Sequence, residues 1–235
     1  MRVLMWEHFA PGGPIRVGGH HFARRFARDG ARVAWCAGPL APWNLVGGNA
    51  ETRARRALWR AGGARDAGEV SFAYAPLTFL PHRRRPLLDS AGVQRRTLRA
   101  TWPRFRKVLA GAGFEAPDLL FMEPGAPLLA LLDAYPEARS VYRMCDDTLA
   151  FADTPRSFAA IEAETLRRAD LVVATARRLA ARAAAGGAKR VLYLPNACEP
   201  ERFAAPEVRP DPRIAALPGP RAIYAGAIEI GRAHV

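Results

Sequence analysis

The segment from Arg168 to Phe203, RADLVVATARRLAARAAAGGAKRVLYLPNACEPERF, reads as strand, helix, strand and polar loop. Leu171–Ala174 is a short apolar run, Ala176–Ala185 is helical in composition and stopped by Gly186-Gly187, and Arg190–Leu194 is apolar again. A strand–helix–strand unit places its two strands parallel in one sheet. Ligands of such a sheet collect beyond the carboxyl ends of its strands. Pro195-Asn196, directly after the second strand, therefore marks the edge where chemistry is expected.

The same alternation runs back to the first residues. Arg2–Trp6 and Ala31–Cys36 are expected strands, separated by the turn-rich Pro11–Gly19 and a helix over His20–Asp29 that Gly30 terminates. Further strands are expected at Glu69–Ala75, Asp118–Met122 and Ser140–Met144. A basic amphipathic helix is predicted over Val93–Ala110, kinked or divided at Pro103, and a short apolar helix over Ala126–Tyr135. Thr154-Pro155 has the residues of a helix start, a cap followed by proline, for a helix running to about Arg168. These elements predict about seven strands in an α/β, Rossmann-like, mostly parallel sheet with right-handed crossovers and helices on both faces.

Charge narrows the function classes less than it first suggests. The net charge is +13, but 33 of the 35 cationic residues are arginine in a chain rich in Ala, Gly and Pro, a pattern that follows from GC-rich coding. The excess is local: Glu51–Lys107 holds 14 basic and 4 acidic residues. Such a face can meet an anionic membrane surface or a polyanionic acceptor, or be a solvated arginine-rich face. No aromatic-interleaved nucleic-acid motif accompanies it. Cys36, Cys145 and Cys198 form no CxxC pair and read as free thiols, against both a disulfide framework and a zinc site. With no apolar run of membrane-crossing length and no signal peptide, the reading is a cytoplasmic protein, peripheral at most on the inner face of the membrane.

Several residues could carry chemistry. Gly18-Gly19 opens a helix after the first strand, where backbone N–H groups can approach a diphosphate when no Cβ intervenes, and Arg16 would add positive charge there. A simple tight turn accounts for the glycines equally. Asp146 and Asp147 follow a strand end; either could accept hydrogen bonds from a substrate hydroxyl or act as general base, or merely cap a helix. His8 lies beyond the first strand and His20 and His21 at the helix start, as candidate cleft residues without the spacing of a metal site.

In order and spacing these features resemble the N-terminal half of a GT-B glycosyltransferase of the group 1/family 4 type. Gly18-Gly19 resembles the family's N-terminal glycine loop. VYRMCDD at Val141–Asp147, then Phe151, Glu162 or Glu164 and ADLVV at Ala169–Val173, resembles its middle section. Leu194-Pro195-Asn196 with Phe203 resembles its L-P-N-G-V-D…F signature, with Ala197 and Glu199 in place of the usual Gly and Asp. The resemblance implies a nucleotide-sugar donor as substrate with no other cofactor, and a saccharide or lipid-linked acceptor in envelope or exopolysaccharide synthesis. It implies an acceptor-side domain over 1–203 with Asn196 in the interdomain loop, a linker over 204–220, and at 221–228 the first strand of a donor domain, opened by Gly226. The family's paired glutamates belong to that second domain, so the chain alone is expected to be inactive. Residues 229–235 are set aside as a non-native tail, because IGRAHV is the translation of a common sequencing adapter. Two other readings stay open from the residues: a non-catalytic basic module binding nucleic acid or an anionic membrane, and a sugar-nucleotide epimerase or hydrolase of the same fold.

Overall fold

Apolar residues alternating in short runs force this chain into a sheet with two buried faces. The structure, a computed structural model, describes residues 1–197 and 211–221. Along the chain come β1 (Arg2–Trp6), α1 (Gly18–Arg28), β2 (Arg32–Cys36), a 3-10 turn (Pro42–Leu45), α2 (Ala50–Arg60), β3 (Ala64–Ala67), β4 (Val70–Tyr74), β5 (Leu77–Thr78), α3 (Ala91–Arg96) and β6 (Thr101–Trp102). They continue with α4 (Phe105–Gly111), β7 (Leu119–Met122), α5 (Leu128–Ala134), β8 (Arg139–Met144), a 3-10 turn (Thr148–Ala150), α6 (Phe158–Arg168), β9 (Leu171–Ala174), α7 (Arg177–Ala185), β10 (Val191–Tyr193) and α8 (Pro212–Ala215). Two units separate by internal packing, residues 1–196 and residues 197–235.

In the first unit eight strands form one sheet in the order β10-β9-β8-β7-β1-β2-β4-β3, with β5 and β6 paired separately. All neighbours in the large sheet are parallel except β3 with β4. Leu4, Trp6, Ala34, Cys36, Leu120 and Met122 bury on one face, while Val3, Met5, Val33, Trp35 and Phe121 bury on the other. The first face is covered by residues of α4 to α7, among them Leu109, Leu131, Ile161 and Leu179; the second packs against Phe22, Ala23 and Phe26 of α1 and Ala54 and Leu58 of α2. All seven expected strands lie in the sheet.

Between the alternatives of a kinked and a divided basic helix the structure decides, and one helix start is corrected. The basic helix is two helices: residues 101–102 are drawn into a strand pair with residues 77–78, and Pro103 follows at the break. There the Thr101 hydroxyl accepts the N–H of Phe105 at 2.8 Å and opens α4. Thr154-Pro155 does not start a helix. The Thr154 hydroxyl donates to the Thr148 carbonyl, and the carboxylate of Asp89, distant in sequence, accepts the N–H groups of Arg156 and Ser157, both at 2.8 Å, just ahead of α6. Between Gly38 and Gly68, where the pattern is weak, the chain forms α2, capped by Asn49 accepting from the Thr52 N–H at 2.8 Å, and the antiparallel strand β3.

Of the second unit, α8 is described, with Asp211 accepting from the N–H of Arg213 at 2.9 Å. Cys198, Phe203, Gly226, residues 204–210 of the expected linker, all but the first residue of the expected strand at 221–228 and the tail at 229–235 lie outside the described residues. No described helix is long and apolar enough to cross a membrane.

Leu120 is fully buried on β7, between β1 and β8. Leu120→Ala is expected to cost about 2–5 kcal/mol, the transfer term plus an unfilled cavity. The measurement is the shift of the urea midpoint at unchanged slope.

Candidate active site

Strand order reverses between β1 and β7, because the chain builds outward through β2 and β4 and then returns to the other side of β1. That reversal opens a crevice at the carboxyl ends of the two strands. β1 and β7 end in register, Trp6 opposite Met122, and each is followed at once by a glutamate, Glu7 and Glu123. Both are buried, at 4% and 5% exposure.

Arg143 on β8 meets them from the neighbouring strand. Its Nη1 donates to Glu123 Oε1 at 2.7 Å and its Nη2 to Asn196 Oδ1 at 2.9 Å, while the guanidinium lies 5.3 Å from the centre of the Phe22 ring. One cation cannot neutralise two buried carboxylates, and an unpaired buried charge is costly. Glu7 therefore keeps its proton: burial first, then the neighbouring Glu123 carboxylate, push its carboxyl up to about 9, against the opposing hydrogen bond from the His8 N–H. That N–H donates to Glu7 Oε1 at 2.7 Å, and Oε2 has no partner among the described residues. Cys145 completes the cluster, its thiol 3.8 Å from Glu123 Oε2 and held protonated by burial and by that carboxylate.

The glycine turn is shaped by this cluster. A Cβ at Gly18 would come within 2.7 Å of Arg143 Nη2, and one at Gly19 within 2.3 Å of Glu7 Oε2. The first turn of α1 thus lies directly against a carboxyl and a guanidinium, and a side chain at either position would have to displace one of them. Gly18, Gly19 and Asn196 are brought together here.

The remaining predicted residues divide into two places. Asp146 and Asp147 stand just beyond β8, in different circumstances. Asp147 is ion-paired to Arg182, which also reaches the buried Glu162 at 3.1 Å, and Arg178 lies 3.6 Å from its other oxygen. Asp146 is exposed and forms no hydrogen bond or ion pair with a described residue. His8 lies by the crevice, where a Cβ at Gly38 would stand 3.4 Å from its Nδ1 and 3.1 Å from Arg55 Nη1. Desolvation lowers its proton affinity, and the charges of Arg55 and Arg83 act in the same direction. Arg16 and His20 instead line a cavity between α1 and α2. Glu164 is bound away from the crevice, paired with Arg95 and Arg168. Among the described residues no three His, Cys, Asp or Glu side chains are grouped to hold a metal.

Glu7, Glu123 and Arg143 are site residues that the sequence reading passes over. Their signals are present: an acid directly after an apolar strand in RVLMWE and LLFME, and an arginine inside the apolar VYRM. A charge within a buried strand requires a partner.

A GT-B sugar-transfer domain is what this sheet, its crevice and its relatives define. The family model for the N-terminal domain of the glucuronosyltransferase GumK matches residues 5–175, and the chain belongs to that family. Among solved structures, sucrose-phosphate synthase from Thermosynechococcus elongatus shares the fold at a TM-score of 0.51 and 12% identity, over 87% of this chain and 93% of that one. Arabidopsis thaliana UGT89C1, solved in complex with UDP-L-rhamnose, aligns over 93% of this chain and 55% of its own length at 13% identity and a TM-score of 0.42. No curated protein matches the chain.

The buried proton sets a pH dependence. Because Glu7 binds its proton more tightly folded than unfolded, its contribution is fully present below about 4.5 and is lost as pH rises toward about 9. Urea midpoints are therefore expected to fall between those limits, and Glu7→Gln, neutral at every pH, is expected to flatten the fall. Arg143→Met leaves Glu123 unpaired and is expected to cost about 3–5 kcal/mol in the same measurement.

Proposed function

We propose that this chain is the acceptor-side part of a glycosyltransferase that moves a sugar from a nucleotide-sugar donor to a saccharide or lipid-linked acceptor of the cell envelope or an exopolysaccharide. Membership in a family named for a glucuronosyltransferase supports the reaction class. The observation that carries the site is the exposed, unpaired carboxylate of Asp146 at the carboxyl end of β8, beside the crevice. Asp146 takes the proton of the acceptor hydroxyl as its oxygen bonds to the anomeric carbon; the bond from that carbon to the diphosphate breaks, and the nucleotide diphosphate leaves. Asp147, tied to Arg182, holds the loop. Backbone N–H groups at the start of α1, held in place by the packing of Gly18 and Gly19 on Arg143 and Glu7, serve the donor's phosphates, and His8 lines the acceptor side of the crevice.

Exposed side chains support a membrane-facing acceptor. Trp43, Phe79, Leu87 and Trp102 are each more than half exposed, within or near the span that carries the arginine excess. Aromatic and apolar groups interspersed with cations suit an anionic interface.

The decisive assay uses this domain joined to a donor domain, with UDP-glucuronate as the first donor offered. Asp146→Asn is expected to lower kcat by about 10²–10⁴-fold, the usual range for a general base. Asp147→Asn is expected to lower stability more than turnover. An undiminished kcat in Asp146→Asn overturns the assignment, and sugar transfer by residues 1–228 alone overturns the division of labour. Co-sedimentation is expected with vesicles containing anionic lipid and to weaken with salt; equal binding to neutral vesicles would remove the electrostatic part.

A further inference from the structure

Asp146 is strapped down through its neighbours on both sides, while its own carboxylate stays exposed. On the preceding side the Met144 carbonyl accepts the N–H of Thr175 at 3.1 Å and the Cys145 carbonyl accepts the Thr175 hydroxyl at 2.9 Å. These bonds tie the end of β8 to the end of β9. On the following side the Asp147 carboxylate accepts from Nη1 of Arg182, on α7.

Alone, that second tie would be weak. Holding a long, partly exposed arginine in one geometry costs rotamer entropy that a surface ion pair barely repays. Arg178 is such a partner, 3.6 Å from the other Asp147 oxygen with its side chain 90% exposed. Arg182 differs because its second nitrogen is already engaged. Its Nη2 donates at 3.1 Å to Oε2 of Glu162 on α6, a residue only 3% exposed. Glu162 is fixed in turn, its Oε1 accepting the hydroxyl of the fully buried Tyr142 of β8 at 2.8 Å. A guanidinium anchored at one edge to an immobile carboxylate has lost its rotamer freedom, so its other edge is aimed at Asp147 with little further loss. The contacts thus begin on β8, pass through α6 and α7, and return to the loop that leaves β8.

A buried carboxylate and its guanidinium give up hydration that their attraction only just restores, and apolar side chains of like volume often hold a fold equally well. Stability therefore does not account for Glu162, whereas position does. We propose that Glu162 is a positioning residue for Asp146: through Arg182 it clamps Asp147 and so fixes the loop from which Asp146 presents its carboxylate beside the crevice. The inference rests on the general-base reading of Asp146 and extends it to a buried residue of α6.

The test reads loop order and turnover separately. Tyr142→Phe/Glu162→Leu removes the buried hydroxyl together with the carboxylate, so neither is left unsatisfied, and releases Arg182 to solvent. In amide nitrogen relaxation of the whole chain, the order parameters of Asp146, Asp147 and Thr148 are expected to fall from about 0.85 to about 0.6. Those of β8 and α6 stay unchanged, and the thermal midpoint stays within a few degrees. Arg178→Gln is expected to leave the loop as ordered as before. With a donor domain joined, the double variant is expected to lower kcat about ten- to a hundredfold at unchanged donor KM, the loss that follows when a reacting group is misplaced. Undiminished loop order in the double variant overturns the proposal, whatever Asp146 does in catalysis. So does a loosened loop with full kcat in an enzyme that Asp146→Asn disables, or a loss of order that spreads through β8 and α6. Full kcat in Asp146→Asn removes the general-base reading, and with it the catalytic meaning of the clamp, while the order parameters still show whether Glu162 holds the loop.

Discussion

A single guanidinium organises the carboxyl edge of this sheet. Arg143 comes from β8, pairs with Glu123 after β7, packs under Gly18 at the start of α1 and holds Asn196 after β10. Three separate segments are thus fixed against one side chain of a fourth, at 6% exposure. Arginine suits the position because its planar fork can serve two acceptors while its flat face lies on Phe22. A lysine could supply the charge without spanning the same partners.

Around that point the architecture separates roles by face. One face of the sheet is packed solid by large aliphatic and aromatic side chains from α4 to α7. The other is covered by α1 and α2, whose facing residues mix Phe22, Phe26 and Leu58 with Ala23 and Ala54, and a cavity lies between those helices. The strand ends carry polar groups because the reversal between β1 and β7 leaves their loops diverging. Fold, cavity and crevice all follow from which elements the chain lays down before and after that reversal.

Much of this was legible in the residues. Apolar runs of four to six residues became the strands of the sheet, and Gly30 and Gly186-Gly187 ended α1 and α7 as turn chemistry requires. Long-range partners were not legible. Thr154-Pro155 has the local form of a helix start, yet Asp89 holds the N–H groups of Arg156 and Ser157 and the helix begins only at Phe158, and Pro103 divides its helix because Thr101 is paired with Thr78. At the site, Gly18-Gly19, Asn196 and Asp146–Asp147 could be placed from their positions after strands. The difference between the two aspartates could not, since Arg178 and Arg182 approach from the next helix. Glu7 and Glu123 were visible as residues, but their meeting depends on β1 and β7 being neighbours across more than a hundred residues of sequence.

The proton on Glu7 has an electrical meaning for whatever enters the crevice. With both glutamates ionised, the floor of the crevice would carry one net negative charge and repel a diphosphate. With Glu7 neutral, Glu123 and Arg143 cancel, and the floor is uncharged. An uncharged floor imposes no repulsion on an anion that enters the crevice. The domain achieves this by burying one acid beside another, so that desolvation first and the Glu123 carboxylate second keep the proton on Glu7.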